Sequence, residues 1–171
     1  MDNQQLLQLL QNRARDFLTY LCYRSEVQEG KFELPGIDGT FFLWVDGRIV
    51  LEDDSEVPPD TVSYSGDGFS GHELRQALGS GKRVREARFR IEKGENTWLC
   101  TVRADRLAVS GLKIDMPPAA DRDEQLYGRL YSVEALNTII DACYAMFCAA
   151  VYADTWQEEG YPAFQAWIAQ H

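Results

Sequence analysis

Between Ile139 and Ala153 the chain carries one charge, Asp141, and apolar residues fall on nearly every side of the helix such a run forms. A helix of this kind has to be covered all round, by its own fold or by a second subunit. Twelve residues separate Asp141 from Asp154, well short of the roughly 20 that cross a bilayer. No membrane association is therefore expected. The helix is predicted to begin near Ser132 and to run to about Glu158. A short final helix then sets Tyr161, Phe164 and Trp167 at intervals of three.

The preceding elements supply candidates for that cover. Residues 2–24 read as an amphipathic helix, with Leu7, Leu10, Ala14, Phe17 and Leu21 at helical spacing. Thr40 to Val45 is apolar on both faces, which suits an interior strand. Asp46-Gly47 is expected to turn it into Arg48–Leu51 as a hairpin. Asp53, Asp54 and Glu56 with Pro58-Pro59 mark an exposed acidic turn before a short strand at 62–65. Ser70 and Glu73 form a capping-box pair, Phe69 and Leu74 occupy the staple positions, and Gly79 stops this brief helix.

Strict alternation marks 83–92 as a strand, with Ala87, Phe89 and Ile91 on one side and Glu86, Arg88 and Arg90 on the other. Gly94 turns it into 96–104, where Trp98, Cys100 and Val102 share a face, and a third strand covers 106–114. Helix, strands, short helix, strand meander and long helix together predict an α+β fold. Its antiparallel sheet has about five strands, with the N-terminal and long C-terminal helices packed on it. At 171 residues the chain fits a single domain spanning 1–171 and can bury a genuine core.

Charge is sorted along the chain. Residues 26–73 hold twelve acids against Lys31 and Arg48, while 74–113 hold ten bases against four acids. Residues 114–171 return to nine acids against two arginines, within a formal total of −10. The overall acidity makes duplex nucleic acid an unlikely partner, because a negative surface repels phosphate. The basic middle points either to a local anion site or to internal pairing with the acidic segments.

Arg83, Arg85, Arg88 and Arg90 are the candidate anion-binding residues, since guanidinium forks suit phosphate and carboxylate. The segment resembles PilZ domains, which read cyclic dinucleotides through an Arg-rich stretch and a later Asp-x-Ser-x-x-Gly motif. Here the corresponding Asp105–Gly111 has a different spacing. That resemblance implies an anionic nucleotide ligand. The plainer reading is a solvated strand face balanced by neighbouring acids.

Gly66–Gly71 formally matches GxGxxG, but neither a buried parallel strand nor a long crossover helix flanks it, and Asp67 would repel a pyrophosphate. Cys22, Cys100, Cys143 and Cys148 lack metal-ligand spacing and read as free buried thiols, which suits a reducing cytoplasm. The N-terminus lacks the pattern of a secretory signal. The histidines, His72 and His171, make no triad legible in sequence. No catalytic residue, cofactor site or metal site is expected.

The leading expectation is a non-catalytic, acidic, cytoplasmic adaptor or chaperone-like protein that binds another protein and forms a homodimer. Phe42 and Trp44 on the sheet, and Tyr161, Phe164 and Trp167 on the tail helix, are the candidate partner-binding residues. In size, acidity and element order the chain is similar to class I type III secretion chaperones, with an extra strand. Two alternatives remain. One is a regulator binding a nucleotide or single-stranded nucleic acid along 82–93, the other an acidic inhibitor that mimics nucleic acid through 26–73.

Overall fold

The computed structural model describes residues 2–53, 55, 57–66 and 71–170, with the backbone alone for 6–14. The side chains of Leu7, Leu10 and Ala14, the Phe69–Ser70 cap, most of the Gly66–Gly71 motif, Asp54, Glu56 and His171 lie outside the described residues. The element order is α1 (Asn3–Val27), β1 (Lys31–Phe32), β2 (Phe41–Asp53), β3 (Asp60–Ser65), α2 (Gly71–Gly79), β4 (Arg83–Lys93), β5 (Asn96–Arg103), β6 (Ala108–Asp115), α3 (Arg122–Val151) and α4 (Tyr161–Ile168). A π-helical turn, Trp156–Gly160, joins the last two.

The strands form one antiparallel sheet in the order β1-β2-β4-β5-β6, with β3 also paired to β2. Alternation sorts its two faces as expected. Phe41, Leu43, Ile49, Leu51, Val84, Ala87, Phe89, Ile91, Trp98, Cys100 and Val102 are buried together with side chains from all four helices. Polar bonds tie the layers. The Val84 amide donates to Thr19 Oγ1 (3.0 Å), Ser25 Oγ donates to Leu43 O (2.6 Å), and Trp98 Nε1 donates to Ser132 O (3.0 Å). Each satisfies a polar group that burial would otherwise strand at a cost of about 1–3 kcal/mol.

The Asp46-Gly47 hairpin does not form. β2 continues through both residues and pairs with β4 on either side of them, Val45 opposite Phe89 and Ile49 opposite Ala87. Asp46, Gly47 and Arg48 thus bulge against Arg88. A type I′ turn needs positive φ at both central residues, and only Gly47 adopts it, at +76°. The bulge carbonyl of Gly47 accepts from the Gly66 amide (2.9 Å), just beyond β3. The reversal comes later, between Asp53 and Asp60, at the acidic Pro-Pro turn.

α3 begins ten residues before the predicted Ser132 start and ends at Val151, short of Glu158. Asp121 is the N-cap, its carboxylate accepting from the Glu124 amide (2.8 Å), with Asp123 and Glu124 in the first turn. Acids read as a polar connection are therefore a helix start, favoured by the positive end of the helix dipole. Nor is the helix covered all round. Only Ser132, Leu136, Ile139, Cys143 and Phe147 are buried, one stripe along one side.

Candidate interaction surfaces

The sheet face away from the helices brings together two sets of residues that stand apart in sequence. Phe42 and Trp44 project from β2 and stack with ring centroids 5.5 Å apart and planes at 10°. Register sets Trp44 opposite Arg90 and Phe42 opposite Glu92. Arg90 continues across the sheet to Leu99 and Lys113, and Arg88 to Thr101 and Ser110. Trp44 lies over Gly30, where an added Cβ would collide with the indole. Gly30 also holds φ at +77°, a conformation that costs little only for glycine. The position of Trp44 is thus built into the α1–β1 turn.

Most of the basic segment is neutralised from within. Arg85 pairs with Glu52 (3.3 Å) and Lys82 with Asp60 (2.8 Å), both acids of the 26–73 segment. Arg75 pairs with Glu26, and Arg83 Nη1 donates to Lys82 O (2.8 Å). Arg90 bonds its strand neighbour Glu92 (2.7 Å). Arg88 differs: among the described residues it has no ion-pair or hydrogen-bond partner from its side chain. Of the four candidate arginines, Arg88 and Arg90 share the open face. Arg85 is drawn to Glu52, and Arg83 turns toward a cavity of about 150 Å³ lined also by Tyr20, Phe147, Trp156 and Tyr161.

The tail aromatics divide. Phe164 and Trp167 are buried, each with its ring centroid 5.2 Å from that of Tyr23. They anchor α4 to its own fold and are not open to a partner. Only Tyr161 remains exposed.

Nucleophile chemistry finds little support in the thiols. Burial pushes Cys22 and Cys143 up to about 12 and Cys100 to about 11, which disfavours the reactive thiolate. His72 is exposed on α2. Asp53 is held below the usual carboxylate range by the hydrogen bond its side chain accepts from the Ser55 amide. Among the described residues no three His, Cys, Asp or Glu side chains gather as metal ligands.

Among the described residues, a row of exposed apolar side chains lies where sequence reasoning named no candidate. Beside its buried stripe, about 100° round the helix, α3 presents Leu126, Leu130, Val133 and Tyr144, the last edge-on to Phe17 (5.2 Å), with Leu126 and Leu130 more than half exposed, at 56% and 57%. Tyr127 and Tyr131 stand beside them, still more exposed. Leu126, Leu130 and Val133 also wall a groove of about 450 Å³ with Leu112 and Ile114 of β6, an edge strand paired only to β5. α3 is long and apolar enough to cross a membrane, although its Leu136–Phe147 stripe is committed to the core. The missed signal was spacing: with the start moved to Arg122, Leu126, Leu130 and Val133 fall on one helical face.

No protein-family model matches the chain, and no curated protein matches it.

Proposed function

We propose that the chain is a non-catalytic adaptor that binds another protein and works as a homodimer. One observation carries the reading: α3 leaves a row of large apolar side chains in solvent after its core stripe is satisfied. Contiguous exposed apolar surface is costly in water and marks an interaction face. The likeness in size, acidity and element order to class I type III secretion chaperones points the same way. The test is a tagged pull-down from host lysate with and without nuclease, followed by titration of the recovered protein in purified form. A nuclease-resistant, stoichiometric and saturable complex supports the reading. Recovery that nuclease abolishes overturns it.

One observation favours a second reading, an anionic ligand or single nucleic-acid strand on the open sheet face. There an aromatic pair able to stack on bases adjoins Arg88 and Arg90. Trp44 fluorescence, compared with a Trp44→Phe variant, reports such binding. Quenching by a single-stranded oligonucleotide that collapses with added salt supports this alternative.

A further inference from the structure

The cavity toward which Arg83 turns shares no residue with the α3 row or with the open sheet face. It lies where α1, the start of β4, the end of α3, the π-helical turn and α4 meet. Its walls are aromatic. The Tyr20 ring centroid stands 5.6 Å from that of Phe147 and 6.1 Å from that of Trp156, and Trp156 stands 6.1 Å from Tyr161. The π-helical turn fixes one of these walls. A Cβ added at Gly160 would collide with the Trp156 indole, so glycine at that position lets the turn carry the ring so close. Single π-helical turns recur at functional sites.

Two polar groups in the wall have bonding capacity to spare. Arg83 is half-buried, and among the described residues its guanidinium makes one hydrogen bond, to Lys82 O, and no ion pair. Acids close to it in the sheet are engaged elsewhere. Glu52, opposite on β2, pairs with Arg85, and Asp53 accepts from the Ser55 amide. Tyr20 is only 7% exposed, yet among the described residues its hydroxyl makes no hydrogen bond. Burial without a partner is costly for such a group. Asp16, the acid among the lining residues, is exposed, and water screens its charge.

We infer that this cavity binds a small aromatic carboxylate, its ring between the aromatic walls and its carboxylate on the Arg83 fork, with the Tyr20 hydroxyl as a second donor. Size limits the ligand. An apolar cavity of about 150 Å³ holds one benzene ring, and this one has that volume. A nucleotide is too large for it, which separates this site from the open sheet face. Charge then sets the sign. Aromatic walls alone would also suit a cation, but the Arg83 guanidinium repels one and matches the planar fork of a carboxylate.

Isothermal titration of the full chain with benzoate, acetate and benzyl alcohol tests this. Benzoate should saturate one site per chain. Its affinity should be at least roughly tenfold better than that of acetate, which lacks the ring, or of benzyl alcohol, which lacks the charge. Arg83→Gln should weaken benzoate roughly tenfold and leave benzyl alcohol unchanged. Tyr20→Phe keeps the ring wall and should weaken benzoate severalfold. Val151→Phe adds bulk to the half-buried wall and should abolish binding of both, with the circular dichroism spectrum unchanged. A benzoate affinity no better than that of acetate overturns the site, as does one that Arg83→Gln and Val151→Phe leave intact. Preference for benzyltrimethylammonium over benzoate overturns the role given to Arg83.

Discussion

The two long stripes of α3 are made of similar residues and meet opposite fates. Leu136, Ile139, Cys143 and Phe147 are closed against the sheet and α1, while Leu126, Leu130 and Val133 face water and Tyr144 lies part-exposed against Phe17. Chemistry alone does not separate them, for leucine, a branched aliphatic and an aromatic occur in both. What separates them is the sheet. β2, β4 and β5 turn the apolar side chains of the core to one face, and a helix lying on that face can offer it one side. Apolar content beyond that one side stays exposed until a second body arrives.

The contrast can be broken most sharply by truncation. Phe147→Ala should cost about 3–5 kcal/mol in chemical denaturation, through lost burial and the cavity left beside Phe17 and Tyr20. Trp98→Phe should cost about 1–3 kcal/mol by thermal melting, because it removes the buried indole donor to Ser132 O, where the inner stripe begins.

A pH series probes the same face. The folded state raises the Cys143 thiol from 9.0 to about 12, so the native protein holds its proton more tightly than the unfolded chain does. That stabilisation is complete below pH 9 and is lost as pH rises toward 12. Cys22 and Cys100 act in the same sense. Each thiol contributes a slope of up to about 1.4 kcal/mol per pH unit in that window. Melting temperature should therefore fall above pH 9, and Cys143→Ala should make the fall shallower; an unchanged slope would show that Cys143 ionises freely in the native state. The smallest effect belongs to the outer stripe. In dilute solution Leu130→Ala should shift stability by no more than about 0.5 kcal/mol, while weakening self-association in sedimentation. A loss comparable to that of Phe147→Ala would mean the two stripes are not different after all.

Much of the architecture was legible from local pattern. The alternation Ala87-x-Phe89-x-Ile91 and Trp98-x-Cys100-x-Val102 announced β4 and β5 with the correct inward faces. The Tyr161–Trp167 spacing announced α4. The failures share a cause. Asp46-Gly47 is locally a turn signal, but β4 offered both halves of β2 a continuous partner, and a bulge at Gly47 absorbed the surplus residues. Asp121–Glu124 is locally a loop signal as well as a helix start, and the missing ten residues of α3 concealed the outer stripe. For the candidate sites, the arginines could be named from sequence. Which of them the acidic segment would take, Arg85 through Glu52 and Lys82's neighbourhood through Asp60, depends on contacts across strands.

By itself the sequence determined the α+β class, the antiparallel meander, the inward faces of its strands and an excess of apolar helix. Those are properties of period and composition, set by how side chains project from a strand or a helix within a few residues. Only the tertiary structure decided which side of α3 is covered, which arginines stay unpaired, and that Phe164 and Trp167 serve the core while Phe42 and Trp44 meet the open face. Each of those outcomes is a competition among distant partners for the same surface, and its result is set by the packing of the whole chain.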